Sequence, residues 1–248
     1  MPPKQRPNRV PLPRQSRRPS TRLLVGLVAA AVIVTGGAIV LSLTLGGGHK
    51  TAALPTVAAN GLGIVAGIPQ NGLVLGNPNA KVTLTEYIDA TCPICKDYVL
   101  TTFPSIIKTY VRPGKVKIEA RVFNLGRPSS SRGRELLLAA ARQNRAWQLV
   151  DLMYHNQGDE GTAWLTDDLA RVLAAKVPGL NIDTLFTDST SNGVLIEAAA
   201  LNADAQSDGV TATPTFVLTT PDGKRHLLGA GDPGFAAFAK VLNRALAG

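Results

Sequence analysis

Val82-Thr83-Leu84-Thr85-Glu86-Tyr87-Ile88, followed after Asp89-Ala90-Thr91 by Cys92-Pro93-Ile94-Cys95, is the stretch on which the fold turns. Its first seven residues are β-branched, aromatic or apolar except for the glutamate, and predict a central strand. Residues 93–111 predict a helix, kinked where Pro104 removes a backbone donor. The two cysteines therefore stand at a strand-to-helix junction. Working outward, Leu73-Val74-Leu75 predicts a short strand ended by the turn sequence Gly76-Asn77-Pro78. Residues 116–123 (VKIEARVF) alternate for most of their length and predict a second full strand. The period then changes. Residues 130–157, 166–176 and 192–207 carry Leu, Ala and Val at helical spacing, and Thr166 before Asp167 and Asp168 fits an N-cap with acids on the helix dipole. Strands return at 215–218 and 225–228 across the hairpin turn Pro221-Asp222-Gly223. Asp232 or Pro233 opens a closing helix that runs through Leu246. Short strands alternating with helices indicate an α/β or α+β domain.

The 248 residues suffice for one well-buried domain plus accessory segments. The net charge of +9 suggests nucleic-acid binding until its distribution is followed. Lys4, Arg6, Arg9, Arg14, Arg17, Arg18 and Arg22 supply seven of the 26 basic residues, and no acid precedes Glu86, so 19 basic residues face 17 acidic ones downstream. The basic feature is a tail at 1–22, not a basic domain, and no nucleic-acid partner is expected. Residues 23–45 (LLVGLVAAAVIVTGGAIVLSLTL) are uncharged and long enough to cross a bilayer as one helix. With the positive tail held on the cytoplasmic side, the run places everything after it outside the cytoplasm. A cleaved signal peptide shares the basic start, but its apolar region is usually only about 7–15 residues. Val57-Ala58-Ala59 offers a loose cleavage site for that alternative. Both readings put the domain in an oxidising compartment. Residues 46–71, rich in Gly, Ala and Pro, read as a tether, and 72–248 as the domain.

Cys92 and Cys95 are the only cysteines. A cysteine at a helix N-terminus faces unsatisfied N–H groups and the positive end of the dipole, which favour thiolate over thiol. Cys92 is the candidate nucleophile, with its sulfur exposed, and Cys95, one turn further in, the group that resolves a mixed disulfide. Other readings compete. A structural disulfide across so short a loop contributes only about 2 kcal/mol, against nearly 5 for a long one. A metal site needs more ligands than one CxxC, and His49, His155 and His226 are scattered without ligand spacing. Inert core cysteines suit an exported domain poorly.

Four segments together carry a resemblance: Tyr87 through Cys95, the upstream Gly76-Asn77-Pro78-Asn79-Ala80, Thr102-Phe103-Pro104, and the late Gly209-Val210-Thr211-Ala212-Thr213-Pro214-Thr215-Phe216. They resemble the DsbA-like proteins of the thioredoxin superfamily, especially the membrane-tethered type of Gram-positive and actinobacterial envelopes, over residues 72–246. The resemblance implies a thioredoxin fold with a helical insertion at about 130–207. It implies thiol–disulfide exchange on exported cysteine-containing proteins through a redox-active Cys92–Cys95 disulfide, with no other cofactor and no metal. Disulfide formation is the leading direction, with re-oxidation by a membrane partner of DsbB-like or vitamin K epoxide reductase-like type. A reductase or isomerase, or a tethered binding module for copper or a partner protein, are the alternatives.

The resemblance also assigns residues. Pro214 matches a cis-proline facing the redox pair, with Thr213 before it; an ordinary trans proline starting a strand is the bland alternative. Glu86, six residues before Cys92, matches a buried acid that moves a proton to or from the inner cysteine, and a water-exposed glutamate at a sheet edge is its alternative. Pro93 and Ile94 tune the pair. The best-known oxidants carry His where this chain has Ile94, which offers the thiolate neither a hydrogen bond nor a charge, and this puts the direction of electron flow in question.

Overall fold

The computed structural model describes residues 62–248. The basic tail, the apolar run and residues 46–61 of the tether lie outside the described residues. Among those described, no helix is long and apolar enough to cross a membrane.

β3 (Val82–Ile88) is buried along its whole length except at Thr83. It pairs in parallel with β4 (Val116–Val122) from Val82↔Val116 to Ile88↔Val122, and antiparallel with β5 (Thr215–Thr219) from Thr83↔Thr219 to Tyr87↔Thr215. A strand with neighbours on both sides and layers on both faces has no solvent side to keep polar, which is why its sequence barely alternates. β4 does alternate, with Val116, Ile118, Ala120 and Val122 fully buried and the residues between them half-buried. The sheet is completed by β1 (Gln70–Asn71), β2 (Val74–Leu75) and β6 (Arg225–Ala230), in the order β1-β2-β4-β3-β5-β6.

Between β4 and β5 the chain forms five helices: α4 (Ser130–Arg142), α5 (Ala146–His155), α6 (Asp167–Ala174), α7 (Ile182–Ser189) and α8 (Asn192–Ser207). Thr166 caps α6 by accepting from the Leu169 amide, as its sequence predicts. α9 (Phe235–Leu246) closes the chain.

Several elements differ from the sequence reading, among them α9, which opens at Phe235 and not at Asp232 or Pro233. Residues 62–71 belong to the domain: α1 (Leu62–Val65) buries Val65, and β1 pairs with β2. The helix after Cys92 is divided into α2 (Pro93–Thr101), α3 (Phe103–Ile106) and a π-helical turn (Ile107–Val111), so the break falls just before Pro104. The stretch 130–157 is two helices, separated where Asn144 adopts φ 54° and Arg145 turns back to the Ala140 carbonyl. α7, capped by Asn181, was not anticipated.

Candidate active site

β3 ends at Ile88 and α2 begins at Pro93, so the turn 89–92 carries the first of the two cysteines onto the helix. Asp89 is fully buried. Its carboxylate accepts from the Thr91 amide at 2.7 Å, the Thr91 hydroxyl at 2.6 Å and the Leu125 amide at 2.7 Å. Its carbonyl accepts from Cys92 N at 3.0 Å. Asp89 thus organises the turn with its own side chain. Cys92 is the N-cap of α2 in an extended conformation, and Pro93 occupies the first helical position, where a missing N–H costs nothing. In α4, Gly133 passes so close behind Ala90 that a Cβ there would lie 2.4 Å from the alanine's.

Both cysteines are free thiols. Cys92 Sγ accepts from the Cys95 amide at 3.3 Å and directs its thiol at the Thr213 carbonyl at 3.1 Å. The Cys92 thiol is lowered to about 6. Its largest support is a hydrogen bond from the Cys95 thiol, which with help from Thr213 and the Cys95 and Ile94 amides outweighs the opposing effect of burial. Cys95 goes the other way. Burial pushes its thiol well up, and the neighbouring Cys92 sulfur pushes it further. At neutral pH the pair therefore holds one charge, on Cys92.

The expectation of an exposed Cys92 sulfur does not hold, since the residue is 3% exposed and Cys95 0%. The loop before β5 covers it: the Thr213–Pro214 peptide is cis, and the Thr213 carbonyl sits directly on the sulfur. The buried Thr213 side chain favours the charged forms of both sulfurs. Pro93 and Ile94 face solvent, with Ile94 49% exposed, so an incoming partner meets an apolar rim.

Glu86 is 0% exposed, which removes the water-exposed alternative. The Tyr98 hydroxyl donates to Oε1, while Oε2 has no hydrogen-bond partner. Burial pushes the carboxyl up to about 8 against the opposing effect of that one hydrogen bond. Tyr98 is held by ring contacts to Phe216 at 4.8 Å, Phe238 at 5.9 Å and Phe103 at 6.1 Å. Burial raises its phenol well above the usual range, with Glu86 next and Cys95 among the lesser causes. One aromatic side chain therefore feels both the acid and the inner cysteine.

The structure brings Cys92, Pro93, Ile94, Cys95, Thr213 and Pro214 together beyond the end of β3, and Glu86 is linked to them through Tyr98. Among the described residues, no group of three His, Cys, Asp or Glu side chains could hold a metal ion. Sequence reasoning missed Tyr98, Tyr154 and Gln157. Tyr98, one helical turn beyond Cys95, was within reach of a periodicity argument. Tyr154 and Gln157 come from the helical insertion, and no local signal joins them to the cysteines.

A thioredoxin family model matches residues 69–225. Over 155 residues the chain is 26% identical to the "probable disulfide bond formation protein D" of Bacillus cereus, covering 60% of this chain and 72% of that one. Among solved structures, it superposes on oxidised BdbD from Bacillus subtilis with a TM-score of 0.62 at 22% identity, covering 72% of this chain and 94% of that one. On α-DsbA1 from Wolbachia pipientis the TM-score is 0.59 at 21% identity, covering 71% and 92%. The shared architecture is the thioredoxin-like α/β fold with a helical insertion.

Proposed function

The chain belongs to the thioredoxin family as a DsbA-like thiol–disulfide oxidoreductase, and from that premise we propose that it forms disulfides in exported cysteine-containing proteins outside the cytoplasm. In the oxidised state, a substrate thiolate attacks Cys92 Sγ and breaks the Cys92–Cys95 bond. Cys95 leaves as a thiolate and takes the proton of Glu86, which a carboxyl near 8 still holds at neutral pH. A second substrate thiolate then attacks the substrate sulfur of the mixed disulfide. The leaving group is Cys92, whose low pKa makes it a good one. The substrate gains a disulfide, and the pair keeps two electrons, which pass to a membrane partner of DsbB-like or vitamin K epoxide reductase-like type.

The observation that carries the direction is the stabilised Cys92 thiolate, because stabilising the reduced form makes the disulfide a stronger oxidant. Ile94 favours the second reading, a reductase or isomerase, since it gives the thiolate no charge or hydrogen bond. Equilibration of the full-length protein with glutathione buffers separates the two. A potential between thioredoxin's roughly −270 mV and the roughly −120 mV of DsbA is expected, on the oxidising side of the interval. A potential at or below thioredoxin's overturns the oxidase reading.

The proposed placement is residues 1–22 in the cytoplasm, one crossing by residues 23–45, and residues 72–248 outside. It is supported by the charge asymmetry of the first 45 residues. Protease added to intact spheroplasts should digest the domain, and full protection would refute this topology.

A further inference from the structure

Helix α5 ends at His155 beside the turn that carries the redox pair, and two side chains reach from its end to that turn. Tyr154 donates to the Asp89 carbonyl at 3.0 Å. Gln157 uses both hydrogens of its amide, on the Ala90 carbonyl at 2.7 Å and the Cys92 carbonyl at 3.1 Å. Both acceptors are carbonyl oxygens, so only one orientation of the amide satisfies them. The Cys92 carbonyl belongs to the nucleophile's own residue and also accepts the first hydrogen bond of α2, from Lys96 N at 3.1 Å.

The residues after Gln157 hold it there. Gly158 runs so close to Trp164 that a Cβ at 158 would lie 2.5 Å from the tryptophan's. Glu160 pairs with Arg127, and the Ser129 hydroxyl accepts from Leu165 N at 3.1 Å. Residues 157–165 thus form a strap fastened to the start of α4, with Gln157 at its inner end.

We propose that Gln157 is a positioning residue for Cys92: its amide clamps the Ala90 and Cys92 carbonyls and so fixes the cap geometry in which Cys92 Sγ meets the Cys95 amide. Hydrogen bonds weaken steeply as their angles open, so a turn free to tilt stabilises the thiolate less. Ala90 is buried, and removing the amide takes a donor from its carbonyl, which gives the turn a reason to shift. The inference rests on the reading of Cys92 as the sulfur that exchanges with substrate.

The test is the pH profile of Cys92 alkylation in the reduced full-length protein, read by mass spectrometry beside the thermal midpoint. Gln157→Ala should move the profile to higher pH and cut the rate at pH 6 by roughly threefold or more. Gln143→Ala is the control. Gln143 spans the Asn181 peptide within the insertion, donating to its carbonyl at 3.1 Å and accepting from its amide at 2.8 Å. Its loss should lower the midpoint and leave the profile in place. If Gln157→Ala does not fold, Gln157→Asn, too short to reach both carbonyls, carries the same expectation. A Gln157 variant whose profile overlays the wild type, or a Gln143 variant that shifts as far, overturns the proposal. A wild-type Cys92 no more reactive than an ordinary thiol overturns the nucleophile reading and this proposal with it, a failure visible before any variant is made.

Discussion

Replacing Glu86 by Gln should change how stability depends on pH. Burial pushes the carboxyl up to about 8 in the folded chain, against 4.5 for an ordinary glutamate. Between those limits the folded state keeps a proton that the unfolded state releases. The raised pKa fixes the sign: the stabilising contribution is complete below 4.5 and is lost as pH rises toward 8. At ~1.36 kcal/mol per pH unit, the interval amounts to about 5 kcal/mol by pH 8. Gln keeps the shape and does not titrate. Its extra N–H group, placed where Oε2 had no partner, costs about 1–3 kcal/mol at every pH. The variant should therefore be less stable than the wild type at pH 5 and more stable by about 2–4 kcal/mol at pH 8, with the curves crossing between about pH 5 and 7. Cys92 and Asp151 also titrate in this range, the first lowered to about 6 and the second raised to about 6, but both are common to the two proteins and drop out of the difference. Urea unfolding of both reduced proteins at several pH values is the assay. Trp147, buried and stacked on Phe103 at 5.5 Å, serves as the fluorescent reporter. A difference that stays constant from pH 5 to 8 would show that Glu86 is ionised in the folded protein, and the proton-donor role would fall with it.

Cys95→Ser should accumulate mixed disulfides with exported proteins, because the Cys92 thiolate still attacks substrate disulfides and no Cys95 remains to release it from the product; Cys92→Ser should trap few. Non-reducing gels of membranes decide this, and equal trapping by both would refute ordered roles. In the reduced wild type, Cys92 alkylation should be half-maximal near pH 6, whereas Cys95, whose thiol is raised by burial, should stay unmodified at neutral pH. Labelling of both at equal rates would contradict the asymmetry. Gly133→Ala should destabilise the domain by about 1–3 kcal/mol, since its methyl would meet Ala90 at 2.4 Å. An unchanged urea midpoint would mean that α4 can move off the turn freely.

The readable parts of the fold were those where one residue type can satisfy only one environment. Six strand-forming residues around Glu86, followed after a three-residue turn by Cys-Pro-Ile-Cys, specify a two-sided strand and the helix that follows, and Glu86 stands out as a charge inside that strand. What stayed hidden follows from physics that spacing does not record. Apolar periodicity runs on through 143–145, although Asn144 turns the chain there, so two helices read as one. α7 is short and rich in Thr and Asp, and only its cap Asn181 hints at it. The tether's Gly and Pro masked Val65, a core residue. The burial of Cys92 depends on Thr213, and its clamp on Gln157, which are 121 and 65 residues away. Only tertiary structure brings them together.

That 121-residue separation sets an order of events while the chain is being made. At roughly 5–20 residues per second, Thr213 follows Cys92 out of the ribosome after about 6–24 s. Throughout that interval the two thiols have no lid, and the thiolate has lost whatever Thr213 contributes. The nascent pair is a less activated dithiol, open to any oxidant or disulfide it meets. Only when β5 zips onto β3 does the sulfur gain both its shelter and the further support of Thr213. A chain stalled or cut short before residue 213 would keep its cysteines and lack the lid that shelters them. Truncated products of this protein should then form indiscriminate cross-links instead of behaving as weakened enzymes.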